Sequence, residues 1–124
     1  MQKKKEIEVE GVVVKGLGFA EKMGFPTINI NPRHVPAALK PGIYAVVVHA
    51  VRGVFFGVAH YGKRLFHNAP VSFEVHCFEL DESLLRCRVR VAVKDRIRDV
   101  KNFPTLAALK AAIRSDIALA KKLL

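Results

Sequence analysis

The feature that most constrains the fold is a pair of apolar, β-branched runs separated by a two-residue turn. Residues 42–51 are Gly-Ile-Tyr-Ala-Val-Val-Val-His-Ala-Val, and residues 54–61 are Val-Phe-Phe-Gly-Val-Ala-His-Tyr. Runs of this composition are typical of β-strands, and Arg52-Gly53 between them predicts a tight turn. The two strands should therefore form an antiparallel hairpin.

Three further segments have the apolar or alternating pattern of strands. They are residues 7–14, 71–80 and 84–93. A turn is expected at 81–83 between the last two, and a charged loop at 94–102. Residues 31–41 contain three prolines and should be irregular or at most one helical turn. The pattern predicts five or six strands joined mainly by hairpin-length connections.

The end of the chain has the period of an amphipathic helix. Its apolar residues recur every three or four positions, at Leu106, Leu109, Ile113, Ile117, Ala120 and Leu124. We predict a helix over residues 105–124, with Thr105 as N-cap and Asn102 as the alternative. Lys121 and Lys122 lie near its end, where the helix dipole favours positive charge.

Length and pattern together predict one domain over residues 1–124, in which 1–6 form a charged tail. A chain of 124 residues can build one substantial core. Five or six antiparallel strands in so small a domain usually close into a barrel, which removes exposed sheet edges. We therefore expect a mainly β protein, a closed antiparallel barrel against which the terminal helix packs.

Composition limits location and partners without selecting a function. No apolar run is long enough to cross a bilayer, and no apolar segment of a signal peptide follows the charged start. We expect a cytoplasmic protein without a membrane partner. The 21 Lys and Arg residues against 11 Asp and Glu give a net charge of +10, which attracts polyanions of any kind. Signatures of specific nucleic-acid binding are lacking.

Cys77 and Cys87 could lie on neighbouring strands, but a disulfide is not expected in a reducing compartment. Two cysteines without further ligands at suitable spacing do not predict a zinc site. Both are interpreted as small, half-buried apolar residues.

The segment from Gly24 to Ile30, Gly-Phe-Pro-Thr-Ile-Asn-Ile, carries the first chemical signal. If it is extended, Thr27 and Asn29 point to the same side. Their hydroxyl and carboxamide oxygens could bind a hard cation such as Mg²⁺. Turn-stabilising roles are the alternative for both residues.

A glycine-rich loop lies between the first strand and this segment. It contains Gly16, Gly18 and Gly24. Glycine lets a backbone approach a ligand closely, and backbone N–H groups in such a loop can bind phosphate. The same loop could equally be an ordinary connection between strands.

Several short motifs, in this order and spacing, resemble the riboflavin kinase family over most of the chain, from Gly11 to Leu124. The matching segments are Gly11-Val-Val-Val-Lys-Gly16-x-Gly18, Gly24-Phe-Pro-Thr-x-Asn29, Pro41-Gly-Ile-Tyr-Ala45, Gly57-Val-Ala-x-x-Gly62-x-Arg64, Phe73-Glu-Val-His76, Ile97-Arg98-x-x-x-x-Phe103 and Leu106…Asp116…Ala120. The resemblance implies a six-stranded antiparallel barrel with one C-terminal helix. It also implies transfer of the γ-phosphate of ATP to the ribityl 5′-hydroxyl of riboflavin, which gives FMN.

On the nucleotide side, the resemblance implies that Thr27 and Asn29 contact Mg²⁺ and the nucleotide. It places Gly16, Gly18 and Lys22 in the loop beside the phosphates. The expected ligands are thus Mg²⁺, a nucleoside triphosphate and riboflavin or FMN, and we expect a monomer.

For the chemical step, the resemblance makes Glu74 the general base that accepts the proton of the riboflavin hydroxyl. An acid is unexpected in the apolar run 71–78, and an outward-facing strand residue is the alternative interpretation. Arg98 and Phe103 are implied to lie near the flavin. His76 is assigned no role.

The sequence departs from the family pattern mainly in the phosphate-side loop, at Phe19, Ala20 and Glu21, and in the flavin-side loop, at Val100. A barrel that binds flavin or nucleotide with weak or no turnover is therefore a second hypothesis. A basic barrel that binds nucleic acid is a third, and it rests on charge alone.

Overall fold

The computed structural model describes residues 6–16, 27–63, 70–80 and 83–124. Its elements are β1 (Ile7–Val14), β2 (Thr27–Ile30), a 3-10 turn (Pro32–His34), β3 (Gly42–Ala50), β4 (Gly53–Lys63), β5 (Val71–Cys77), β6 (Arg88–Arg98) and α1 (Leu106–Leu123). The six strands form a closed barrel in the order β1-β2-β5-β4-β3-β6. Every neighbouring pair is antiparallel, which confirms the predicted fold class.

The strands place one set of side chains inside the barrel and the alternate set outside. The interior is filled with aliphatic and aromatic residues, among them Val9, Ile30, Val46, Phe73 and Val91. Cys77 belongs to this core, and burial raises the pKa of its thiol to about 12. Both cysteines carry free thiols.

The helix α1 covers part of the outer surface. Ala120 packs with Ile43, Ala45 and Val58 in a second, smaller apolar cluster on the outer face of β3 and β4. The Thr105 hydroxyl accepts a hydrogen bond from the Ala108 N–H at 3.1 Å, which confirms Thr105 as the N-cap. Within the described ranges, no helix has the length and hydrophobicity needed to cross a bilayer.

The predicted strand at 84–93 was placed too early in the chain, and the predicted loop at 94–102 began too early. Residues 85–86 form a turn in which Arg86 adopts a φ of 68°, and β6 then runs from Arg88 to Arg98. Its pairing with β3 shifts register twice, between Ala45 and Val46 and between Ile43 and Tyr44. These irregularities let a strand continue through a charged segment whose alternation looks broken in the sequence.

Smaller differences affect the neighbouring elements. β5 ends at Cys77 rather than at residue 80, because residues 78–79 form a turn. β4 extends to Lys63, two residues beyond the predicted end. Within 31–41 the 3-10 turn is the only regular element, as the prolines predicted.

Candidate functional site

Four polar side chains share the outer face of the neighbouring strands β2 and β5. The intervening residues, Ile28 and Ile30 in β2 and Phe73 and Val75 in β5, are buried in the barrel core. Because side chains alternate along a strand, Thr27, Asn29, Glu74 and His76 all point away from the core. The predicted shared face of Thr27 and Asn29 is therefore confirmed, and it extends onto β5.

The strand register sets these groups directly opposite one another. Asn29 pairs with Glu74, and Thr27 pairs with His76. On its other side, Glu74 pairs with His60 of β4. Directly opposed residues of antiparallel strands have Cβ atoms about 4.5–5.5 Å apart. We call Thr27, Asn29 and Glu74 the strand group.

Glu74 is buried even though it lies outside the barrel core. Its relative exposure is 7%, and the other members of the strand group are half-buried. Glu74 thus faces outward, as the alternative interpretation had it, but its side chain is shielded from solvent. An acid held in this position is unusual, since carboxylates are seldom buried without a structural or chemical reason.

Gly16 comes so close to Asn29 that no side chain fits between them. A Cβ atom on Gly16 would lie 2.2 Å from the Asn29 Nδ2 atom and 2.5 Å from its Oδ1 atom. Because Gly16 has no side chain, the start of the glycine loop can pack against the side-chain amide of Asn29. Gly18 and Lys22 lie outside the described residues.

A second set of residues surrounds Arg98, at the end of β6. The Arg98 Nε and Nη2 atoms donate to the two carboxylate oxygens of Asp116 at 2.9 and 2.7 Å. Its Nη1 atom donates to the Asp99 carbonyl at 3.0 Å. The Arg98 Cζ atom also lies 5.4 Å from the centre of the Phe103 ring. We call Arg98, Phe103 and Asp116 the arginine group.

Asp116 is the residue of this group to which sequence reasoning assigned no role. It is one of two buried charged or polar side chains among the described residues, the other being Glu74. The sequence did contain a signal for a role of Asp116, which is its position in the helical segment between the apolar residues Ile113 and Ile117. A charge at such a position needs a partner, and Arg98 provides it.

The two groups lie along one row of paired residues that crosses five strands. From Asn29 the row passes through Glu74, His60 and Ile43 to Arg98. Neighbouring strands are about 4.8 Å apart, so β6 lies about 14 Å from β5 along the curved sheet. Ile43 of this row is buried against Ala120 of α1, so a ligand that contacts both Arg98 and Glu74 would have to be elongated and pass beside the helix.

The donors of the strand group fit Mg²⁺ better than a transition metal. They are hydroxyl, amide and carboxylate oxygens, which hard cations prefer. In the described part of the chain, no three His, Cys, Asp or Glu residues cluster as a metal site. Mg²⁺ usually retains waters and takes few ligands from protein, so Thr27 and Asn29 are a sufficient protein contribution when phosphate oxygens complete the set.

Comparison with known proteins identifies the class to which this barrel and site belong. A model of the riboflavin kinase (flavokinase) family matches residues 3–124. The chain is also 34% identical over 119 residues to the bifunctional riboflavin kinase/FMN adenylyltransferase of Haemophilus influenzae. This chain therefore belongs to the riboflavin kinase family, a family of phosphotransferases.

The coverage differs between relatives. The match spans 94% of this chain but only 38% of the Haemophilus protein. Among solved structures, the riboflavin kinase of Trypanosoma brucei superposes with a TM-score of 0.66 at 23% identity, over 99% of this chain and 82% of that one. A Streptococcus pneumoniae protein named as a macrolide-efflux protein superposes with a TM-score of 0.77 at 26% identity, over 92% and 38% of the two chains. These likenesses support the fold.

Proposed function

We propose that this chain transfers the γ-phosphoryl group of a nucleoside triphosphate, expected to be ATP, to the ribityl 5′-hydroxyl of riboflavin, giving FMN. One observation carries the proposal beyond family membership: Glu74 is buried and pairs directly with Asn29 on a shared outer face. Phosphoryl transfer to a hydroxyl needs a positioned proton acceptor beside groups that hold the charged nucleotide. The strand group combines both requirements.

In the proposed step, the Glu74 carboxylate accepts the proton of the 5′-hydroxyl. The hydroxyl oxygen forms a bond to the γ-phosphorus, and the bond between that phosphorus and the β,γ-bridging oxygen breaks. FMN and the nucleoside diphosphate are the products. Glu74 acts as general base, and its fixed position in a strand that is paired on both sides supports this role because catalysis here depends mainly on positioning.

We assign the nucleotide to the side of Gly16, Thr27 and Asn29. The close approach of Gly16 to the Asn29 amide supports a backbone that can contact phosphate. Thr27 and Asn29 would hold Mg²⁺, which when bound neutralises charge on the triphosphate. Gly18 and Lys22, outside the described residues, are proposed to complete the phosphate-side loop.

We assign the flavin to the side of Arg98 and Phe103. In this assignment the ring system lies near Arg98, and the ribityl chain passes beside α1, which covers Ile43 of the intervening row, to reach Glu74. The bidentate contact with Asp116 fixes the guanidinium in one orientation. We further propose a single domain that acts as a monomer in the cytoplasm, without a membrane or a specific nucleic-acid partner.

Incubation of the chain with riboflavin, Mg²⁺ and each nucleoside triphosphate in turn, followed by chromatographic separation of FMN, tests the proposal. We expect FMN with at least one nucleotide, ATP first. Flavin binding without FMN from any nucleotide would replace the kinase with a binding barrel. The departures at Phe19, Ala20 and Glu21 would then be the first positions to revert.

The nucleotide assignment has its own test in Thr27→Val, which removes a hydroxyl and keeps the shape of the side chain. We expect weaker Mg²⁺-dependent nucleotide binding and an almost unchanged melting temperature. Unchanged nucleotide affinity with full activity would contradict the assigned role.

A further inference from the structure

A cavity lies beside the end of β6 that carries Arg98, and it is lined by residues outside both groups of the candidate site. It has a volume of about 710 Å³ and is lined by residues from the start of β1, the segment before β3, and the last part of β6. Ile7, at its edge, is seven residues from Val14, where β1 reaches the strand group, a span of about 23 Å. The volume lies within the usual range of small-molecule sites, which often occupy barrel mouths.

The cavity is apolar at its floor and mainly cationic at its rim. Tyr44 is buried and forms the floor with Leu39 and Val93, while Lys40, Lys94 and Arg96 contribute positive charge. Among the described lining residues, Glu6 is the single acid. We propose that this mouth is a second ligand site, which binds a small organic anion with an apolar or aromatic body and a phosphate or carboxylate group.

Arg96 is held in place for such a role. Its Nη1 atom donates to the Tyr44 hydroxyl at 2.8 Å, and its Cζ atom lies 5.5 Å from the centre of the Tyr44 ring. A Cβ atom on Gly42 would lie 2.5 Å from the Arg96 Nη1 atom, so glycine at this position makes room for the guanidinium. A planar, oriented guanidinium is the group best suited to bind an oxyanion in two places.

The cations at the rim have partners that a ligand can replace. Arg96 pairs with Asp99 at 2.5 Å, but the Asp99 side chain is 83% exposed. Lys94 pairs with Glu6, and both side chains are well exposed. Ion pairs in contact with water contribute little, so exchange of Asp99 for the oxyanion of a ligand has a small cost. Lys40 forms no salt bridge within the described residues.

Titration of the isotope-labelled chain with phenyl phosphate, followed by amide chemical shifts, tests the site. Phenyl phosphate carries the minimal aromatic body and dianion, and for so small a ligand we expect a Kd on the order of 1 mM. The amides of Lys40, Tyr44 and Arg96 should shift saturably, and those of Asn29 and Glu74 should not. Benzoate tests which oxyanion the site accepts. If any oxyanion suffices, benzoate should shift the same amides, and if the site is specific for phosphate, benzoate should leave them unchanged. Shifts centred on Gly16 and Asn29 would overturn the proposal.

Three variants separate oxyanion recognition from general charge. Arg96→Gln should raise the Kd for phenyl phosphate at least about tenfold, since a charge-assisted contact is lost. Asp99→Asn should lower it about two- to threefold, since a competing carboxylate is removed. Arg90→Gln is the matched control, because Arg90 lies on the same strand, pairs with Glu8 and is not among the described residues that line the cavity.

Equal weakening by Arg90→Gln and Arg96→Gln would show attraction to the overall positive charge and would overturn the site. Weaker binding of phenyl phosphate by Asp99→Asn would also overturn the site. An affinity for uncharged benzyl alcohol equal to that for phenyl phosphate would do the same. If Arg96→Gln does not fold, as judged by its amide spectrum, Lys40→Gln replaces it. Lys40 is exposed, and its variant should raise the Kd by a factor of about three.

Discussion

The strand group and the arginine group of the candidate site are held in place by different means. Thr27, Asn29 and Glu74 lie on strands that are hydrogen-bonded on both sides, so their spacing follows from the barrel register. Arg98 lies at the last residue of β6, and its side chain is oriented by Asp116 from the separate helix α1. One group depends on the backbone and the other on a side-chain ion pair.

This difference determines what a substitution should change. A side chain in the strand group can be replaced without disturbing the backbone ladder that positions its neighbours, so such changes should affect chemistry more than stability. The Arg98–Asp116 pair also joins the helix to the barrel, with side-chain exposures of only 20% and 8%. Its removal should therefore affect stability and ligand binding together.

The strongest test of the strand group is Glu74→Gln, which keeps the size of the side chain and most of its hydrogen bonding. The rate of FMN formation should fall by about 10²–10⁴, the usual contribution of a positioned general base. Riboflavin affinity and melting temperature should stay near those of the unmodified chain. Single-turnover measurement of FMN formation, with flavin fluorescence for binding, checks the expectation.

Glu79→Gln is the control for this variant, because Glu79 is the next acid in the chain and is exposed in a turn. It should have the rate of the unmodified chain. A normal rate in Glu74→Gln would assign the proton transfer to another residue. A large loss of stability would mean that Glu74 has a structural role, as Asp116 does.

The arginine group is tested by Asp116→Asn. We expect a loss of about 3 kcal/mol in the free energy of unfolding, because a buried guanidinium loses its charged partner. The KM for riboflavin should rise about tenfold if Arg98 contacts the flavin, since a misoriented arginine loses bidentate geometry. Thermal unfolding and the dependence of rate on riboflavin concentration measure the two effects separately.

Glu8→Gln removes the carboxylate of an exposed ion pair with Arg90 and serves as the matched control. It should leave both measurements almost unchanged. If Asp116→Asn lowers stability but leaves the riboflavin KM unchanged, the ion pair is purely structural and Arg98 has no contact with the flavin.

The two groups also differ in how far the sequence predicted them. Alternation along residues 27–30 predicted that Thr27 and Asn29 share a side, and the family resemblance singled out Glu74. The direct pairing of Asn29 with Glu74 was not predictable, because β2 is four residues long and no hairpin joins it to β5. Its register is set by packing of the whole barrel.

The Arg98–Asp116 contact was harder still to predict. The helical period of α1 is visible from its apolar residues, but periodicity gives no information about which strand faces Asp116. The prediction also ended β6 five residues before Arg98, because the charged segment 94–98 has no apolar alternation. Register shifts opposite Ala45 and Ile43 restore the strand there, and they are a consequence of tertiary structure.

A more moderate effect is expected at the point where the glycine loop meets the strand group. In Gly16→Ala the new Cβ atom would lie 2.2 Å from the Asn29 Nδ2 atom, so the amide must move. We expect nucleotide affinity to fall about tenfold, equivalent to about 1.4 kcal/mol, with riboflavin affinity unchanged. Calorimetric titration with each ligand checks this, and Val51→Ala is the control, because Val51 is fully exposed in the distant hairpin turn. Equal losses for both ligands would mean that Gly16→Ala disturbs the barrel as a whole.

The smallest expected effect separates the two contacts that hold Arg98. Phe103→Leu keeps an apolar side chain but removes the ring whose centre lies 5.4 Å from the Arg98 Cζ atom. A partly exposed cation–π contact contributes about 0.5–1 kcal/mol, and the bond to Asp116 remains. The melting temperature should therefore fall by only a few degrees, and the riboflavin KM should rise about two- to fivefold. A tenfold or larger rise in KM at nearly unchanged stability would indicate that the Phe103 ring contacts the flavin directly, beyond orienting Arg98. An unchanged KM would mean that Asp116 alone positions the guanidinium, and that the aromatic ring belongs to the packing between the end of β6 and α1.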